Sequence, residues 1–265
     1  MIHISDFFRR ELLKKHLKKI KEIPHPNEWN LDPEASYVYI CANETIDGVE
    51  FPDDFTLPHN IPLVADCSSN LFSKTIDVAK FGCILAGAQK NFGPAGVTVV
   101  IVRDDLIGHQ MKECPTVLDY NVQSAHGSLY QTPPTFGIYM CGLVYEWLKS
   151  HGGMEKIGEV NKLKSMEIYD AIDASNGFYY SPVRREYQSR VTIPFRVIGK
   201  DGKPDEKLEK LFIEEGEHGY NLKELKGHRS VGGIRAAIFN AISLEEIQTL
   251  VLFMNVFRKK YSVQQ

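Results

Sequence analysis

The ten residues Gly87-Ala88-Gln89-Lys90-Asn91-Phe92-Gly93-Pro94-Ala95-Gly96 constrain this chain more than any other stretch. They set one lysine in a turn with little side-chain cover. Upstream lies the apolar run Phe81-Gly82-Cys83-Ile84-Leu85-Ala86, and downstream Val97-Thr98-Val99-Val100-Ile101-Val102. Runs of this length bounded by glycine read as short strands buried on both faces of a sheet. A lysine at such a junction is close to a core yet within reach of a ligand. Partial desolvation there makes an amine a usable nucleophile toward a carbonyl. The same pattern also suits a lysine that simply ends a strand and carries its ammonium out to water.

The 265 residues are enough for one large core or two smaller ones. A formal charge of −3 gives no basic footprint for nucleic acid. No apolar run approaches the length that spans a bilayer, so no membrane is expected either. The start, Met1-Ile2-His3-Ile4-Ser5-Asp6, has neither the apolar stretch nor the small-residue cleavage site of a signal peptide. The glycosylation pattern Asn43-Glu44-Thr45 is therefore set aside. Five scattered cysteines (Cys41, Cys67, Cys83, Cys114, Cys141) form no C-x-x-C pair. They point to a reducing compartment, with the cytoplasm as the default, and no metal site is expected.

Residues 7–23 interleave Arg9, Arg10, Lys14, Lys15, Lys18, Lys19 and Lys21 with Leu12, Leu13, Leu17 and Ile20, which predicts an amphipathic helix ended by Pro24 and Pro26. Strands follow at Tyr37–Cys41 and Pro62–Asp66, then on either side of Lys90, giving α/β organisation. Asn70–Lys80 holds a short helix or a loop. Thr132-Pro133-Pro134 opens a helix through Lys149, closed by Gly152-Gly153. Met154, Ile157, Val160, Leu163 and Met166 then mark a second long helix by their spacing. Beyond about residue 175, the strand Val191–Val197 alternates with helices over 204–219 and 243–260, the last opened by the capping box Ser243-Leu244-Glu245-Glu246. Residues 1–153 thus read as a larger domain, 154–175 as a connecting helix and 176–265 as a smaller α+β domain.

Ligands in α/β sheets gather at the carboxyl ends of strands. Three strands here end in polar residues: Asn43-Glu44-Thr45, Asp66-Cys67-Ser68-Ser69 and Gln89-Lys90-Asn91. Asp66 closes the apolar run Leu63-Val64-Ala65, so its carboxylate needs a partner: a protonated ring nitrogen or an ordinary cation.

Together with Cys41-Ala42-Asn43-Glu44-Thr45-Ile46-Asp47-Gly48, Thr132-Pro133-Pro134 and Lys226-Gly227-His228-Arg229-Ser230-Val231-Gly232-Gly233-Ile234-Arg235, these segments resemble one family. An Asp followed 24 residues later by a Lys across one strand is the spacing of fold-type-I pyridoxal-phosphate enzymes. The wording is closest to the phosphoserine aminotransferases of class V, whose motifs run in the same order over nearly the whole chain. The resemblance implies an α/β fold-type-I architecture: a large domain with a mixed, mostly parallel sheet, shortened at its N-terminal side, plus a smaller C-terminal α+β domain.

It also implies pyridoxal 5'-phosphate as cofactor. Lys90 would carry it and act as general acid/base, while Asp66 would hold its ring nitrogen protonated. Thr45 would bond near its phenolic oxygen and Gln89 would help bind its phosphate. Gln131 and Thr132 would reach the phosphate of a dimer mate, with Gln131 standing where the family has asparagine. Arg235 would bind the substrate α-carboxylate in the bidentate manner arginine favours. His228 and Arg229 would bind a second anionic group. The implied reaction is transamination between O-phospho-L-serine and 2-oxoglutarate, giving 3-phosphohydroxypyruvate and L-glutamate, in serine biosynthesis.

Family members carry a further N-terminal region, with a glycine-rich turn that grips the cofactor phosphate and an aromatic that stacks on the ring. No segment of residues 1–36 matches it, and Trp29 belongs to a linker rather than to the ring-stacking position. Two other readings stay open at this point. One is a catalytically impaired relative that pairs with a full-length subunit in a heterodimer instead of forming a homodimer. The other is a related enzyme of the cysteine desulfurase kind, against which the His228-Arg229 pair argues by favouring a doubly anionic substrate.

Overall fold

The structure, a computed structural model, describes residues 21–57 and 60–262. The helix expected over 7–23 lies outside these apart from its last three residues. Among the described residues, no helix is long and apolar enough to cross a membrane.

Among the described residues, nine strands and five α-helices follow one another. The first six strands are β1 (Val38–Cys41), β2 (Asn43–Glu44), β3 (Val49–Glu50), β4 (Leu63–Asp66), β5 (Cys83–Gly87) and β6 (Thr98–Val102). Helices α1 (Tyr120–Ala125), α2 (Thr135–Ser150) and α3 (Gly153–Asp173) come next. The chain then forms β7 (Tyr179–Tyr180), β8 (Thr192–Val197), α4 (Glu206–Tyr220), β9 (Ile234–Ala237) and α5 (Leu244–Ser262).

The N-terminal sheet has the order β1-β4-β5-β6. Its first two pairings are parallel and the third is antiparallel, so the sheet is mixed. Parallel register sets Cys41 beside Asp66 and Asp66 beside Leu85, which brings the polar strand ends to one edge. The core here is built from Val38, Ile40, Leu63, Ala65, Ile84, Ala86 and Phe92, with Cys141 of α2 against them. Helix α2 comes close to the turn after β5 at Gly93, where a Cβ would stand 2.3 Å from Cys141 Sγ.

The expectation that both strands flanking Lys90 are buried on two faces holds for β5 and fails for β6. Val100 and Ile101 of β6 are exposed, and Val99 only partly buried. The reason is position: β6 is the last strand in the sheet order, and no described element covers it.

A second core joins the three-stranded antiparallel sheet β7-β8-β9 to α3, α4 and α5. Phe195, Phe212, Phe253 and Phe257 fill it, each at most 1% exposed, with ring centroids 4.6–5.8 Å apart in edge-on or tilted pairs. The capping box forms as expected: Glu246 N–H donates to Ser243 Oγ, and Ser243 N–H to Glu246 Oε2.

Two helices differ in detail from their sequence patterns. The prolines 133 and 134 precede α2 rather than occupying its first turn, with Pro134 at the N-cap. In α3, Leu163 and Met166 face solvent, whereas Ile157, Asn161, Lys164, Ser165 and Ile168 are buried. Repeats of three drift around a helix of 3.6 residues per turn. The inward face is partly polar because it meets backbone carbonyls that need donors.

The two cores are tied by one buried ion pair and two more that share the half-exposed Asp53. Glu50 of β3 is 3% exposed and accepts from Lys74 Nζ at 2.8 Å and from the Arg190 N–H at 2.9 Å. Lys74 also meets Asp53, which pairs with the Arg190 guanidinium. These cations hold the Asp53 carboxyl below its ordinary value against the opposing effect of its own partial burial.

Candidate active site

The Lys90 turn is closed on one carbonyl. Phe92 N–H and Gly93 N–H both donate to Ala88 O, and Ala88 N–H returns to Val97 O. Phe92 is buried and Asn91 nearly so, with Asn91 Nδ2 donating to Leu71 O. These two inward anchors leave Gln89 and Lys90 facing outward. Gln89 folds its amide over Gly87, whose missing Cβ would stand 2.5 Å from Gln89 Oε1.

Thr45 lies in the tight turn of the β2–β3 hairpin. The Glu44 carboxylate shapes that turn by accepting from Ile46 N–H and Asp47 N–H. Gly48, at φ +76°, allows it to press on β8, since a Cβ there would stand 2.3 Å from Pro194 Cδ. Pro194 pairs with Arg235 across the β8–β9 ladder. This packing carries Arg235 to the hairpin, where its guanidinium donates to Thr45 O at 3.3 Å. From the other side, Lys90 Nζ donates to Thr45 Oγ1 at 3.3 Å. Residues 90 and 235, distant in sequence, therefore converge on Thr45.

Asp66 ends β4 with one oxygen accepting from Ser68 N–H at 2.9 Å and the other facing the Tyr39 hydroxyl at 3.5 Å. Ser68 Oγ in turn accepts from Gly87 N–H, which locks this strand end to the start of the Lys90 turn. Burial, and then the charge of Asp66, push the Tyr39 phenol up to about 12 and the Cys41 thiol up to about 11. Both groups stay neutral at ordinary pH. The Cys41 thiol also senses the opposing charge of Lys90.

His228 and Arg229 lie on the turn that leads into β9, closed by Val231 N–H and Gly232 N–H on His228 O. His228 Nδ1 is engaged by Ser230, and Arg229 is exposed. Beneath the turn, Arg196 of β8 donates to Val231 O and forms a two-pronged pair with Glu209, at 2.6 and 3.1 Å. Gln131 and Thr132 stand apart, exposed on the loop between α1 and α2, with no hydrogen bond to this cluster among the described residues.

Tyr39, Arg196 and Glu209 were not singled out from sequence. Arg196 did carry a signal, being a lone charge inside the apolar strand Val191–Val197. Tyr39 carried none, since an aromatic in a strand is ordinary.

Gly227 offers a direct check on the turn. Its N–H donates to Gly233 O, and a Cβ would stand 2.1 Å from Gly232 O, a backbone atom that cannot move aside alone. Gly227→Ala is expected to destabilise the protein by about 1–3 kcal/mol, measured as a lower urea midpoint with unchanged slope.

The arrangement brings an amine, a hydroxyl and a guanidinium together at Thr45, with the Asp66 carboxylate at the end of β4, a set suited to holding an amino-acid carboxylate and moving a proton. A family model for class-V aminotransferases matches residues 14–250. The chain is 51% identical over 243 residues to a phosphoserine aminotransferase of Drosophila melanogaster, covering 92% of this chain and 66% of that protein. It is 48% identical over 240 residues to a probable phosphoserine aminotransferase of Caenorhabditis elegans, covering 91% and 64%. Among solved structures, the phosphoserine aminotransferase of Bacillus circulans subsp. alkalophilus superposes with a TM-score of 0.84 at 43% identity, over 90% of this chain and 64% of that one. The chain thus spans just under two thirds of the length of these relatives. It belongs to the class-V aminotransferase family.

Proposed function

We propose that this chain takes part in pyridoxal-phosphate-dependent transamination between O-phospho-L-serine and 2-oxoglutarate, in serine biosynthesis. The observation that carries the reading is the convergence of Lys90 and Arg235 on Thr45, beside the Asp66 strand end. The donor set fits the cofactor: an outward amine for its aldehyde, a carboxylate for its ring nitrogen and a hydroxyl for its phenolic oxygen. When bound, the cofactor supplies an electron sink for the bond broken at the substrate Cα.

Each residue then has a task. Lys90 would hold the cofactor and would move the proton at the substrate Cα. Asp66, kept in place by Ser68 N–H and Tyr39, holds the ring nitrogen protonated. Thr45 fixes the phenolic oxygen, and Gln89 binds phosphate. Arg235 takes the α-carboxylate, while His228 and Arg229 take the second anion, the substrate phosphate or the side-chain carboxylate of glutamate. In this reading residues 1–153 form the cofactor domain, 154–175 the connector and 176–265 the smaller domain.

The working unit is a homodimer in which Gln131 and Thr132 reach the cofactor phosphate of the mate. What supports this is exposed apolar surface beside them, with Leu129 at 61%, Phe136 at 72% and Tyr139 at 61%. Five free cysteines, three of them buried, suit the reducing cytoplasm.

The test is direct. The purified chain mixed with pyridoxal phosphate is expected to develop a visible absorbance band, and borohydride to fix a pyridoxyl mass on Lys90. Phosphoserine with 2-oxoglutarate is then expected to yield glutamate, and cysteine or alanine far less. No adduct at any cofactor concentration would overturn the reading.

A further inference from the structure

The buried polar face of α3 belongs to none of the groups assigned above. Lys164 is 1% exposed, and its ammonium donates to three backbone carbonyls: Ile238 at 3.1 Å, Phe239 at 3.0 Å and Ile242 at 2.9 Å. An ammonium has three donors, so all are used. One turn earlier on the same face, Asn161 Nδ2 donates both to Ser73 O at 2.8 Å and to Asn240 Oδ1 at 2.7 Å. Asn240 passes the connection on. Its Nδ2 donates to Phe72 O, and its backbone N–H donates to Asn91 Oδ1 at 3.0 Å.

The chain of contacts runs unbroken from α3 to the neighbour of Lys90. It has a second end as well. The carbonyls that Lys164 gathers begin at Ile238, one residue beyond the end of β9, the strand that carries Arg235. One small knot of side chains therefore touches the segment bearing the amine and the segment bearing the guanidinium.

We propose that Lys164, acting with Asn161 and Asn240, is a positioning group that sets the reach between the Lys90 turn and the Arg235 strand. The proposal rests on the transamination reading for what that reach accomplishes. A capping lysine with a purely structural role would stabilise the 238–242 loop without any effect confined to the Lys90 turn. The contact from Asn240 to Asn91 is what the structural role does not require.

Lys164→Met keeps the length and removes the donors; Asn240→Ala breaks the link between α3 and the turn, and serves if the first variant does not fold. Amide hydrogen exchange is read in the chain without cofactor. Expected is an acceleration of about tenfold or more confined to residues 89–93 and 234–242, with β7, α4 and α5 unchanged. In wild-type chain that forms the Lys90 adduct, both variants are also expected to raise KM for phosphoserine more than they lower kcat. Uniformly faster exchange throughout the protein, or protection at 89–93 equal to wild type, would overturn the proposal. Failure of the wild-type chain to form an adduct would instead count against the transamination reading, and the exchange result would still decide the role of Lys164.

Discussion

Lys90→Ala is expected to leave no borohydride-fixed pyridoxyl group anywhere on the chain and to lower transamination by about 10⁴-fold, the upper end of what a positioned general acid/base contributes. The loss is expected to be large because, on the transamination reading, one amine would serve both to hold the cofactor and to carry the proton. Stability is expected to stay within about 0.5 kcal/mol of wild type, as for surface substitutions generally. Lys90 is exposed and, among the described residues, its side chain donates to the Thr45 hydroxyl, whereas the turn is held by Phe92, Asn91 and the Ala88 carbonyl. Mass mapping of the adduct and a urea curve check both halves. An adduct that persists in the variant would place the reactive amine elsewhere.

Glu209→Ala is expected to destabilise the protein by about 3–5 kcal/mol, the usual penalty for stripping one partner from a buried pair. The Glu209 carboxylate is 6% exposed and the Arg196 side chain 14%, so the abandoned guanidinium has little water to turn to. The carboxylate also accepts from Val197 N–H, adding a lost backbone partner. Replacing both residues by apolar ones of similar size, as in Arg196→Met with Glu209→Leu, is expected to recover much of that stability, because no buried charge is then left alone. It is not expected to recover function. Arg196 would no longer hold Val231 O under the turn that bears His228 and Arg229, so on the transamination reading the double variant is expected to show a raised KM for phosphoserine. Urea midpoints and steady-state kinetics on the single and double variants separate the two consequences.

The sequence was most legible where local patterns and chemistry agree. β4 ends at Asp66, two residues before Ser68, and β5 ends at Gly87, with Lys90 and Asn91 in the turn that follows, so the polar edge of the sheet could be placed from order alone. The capping box at Ser243 was equally plain. Two things were not legible. Convergence on Thr45 depends on Gly48 meeting Pro194, a contact between residues 146 positions apart, which no local period encodes. The inward face of α3 was misjudged because hydrophobic spacing cannot announce a lysine buried to satisfy carbonyls, and Leu163 and Met166 filled the pattern while facing water. Burial of β6 was overestimated for a related reason: an apolar run specifies a strand, but its neighbours decide whether it is covered.

That last strand has a consequence for handling the protein. Beyond β5, the outer rim of β6 presents backbone N–H and C=O groups that no described strand pairs with. Its five residues, Thr98-Val99-Val100-Ile101-Val102, carry no charge and are rich in β-branched side chains, the composition from which intermolecular cross-β ribbons grow. Arg103, Asp104 and Asp105 follow at once and act as gatekeepers at one end of the segment. At high concentration this rim is expected to favour association between copies of the chain, and added salt, by screening those three flanking charges, should shorten the time to aggregation as followed by light scattering.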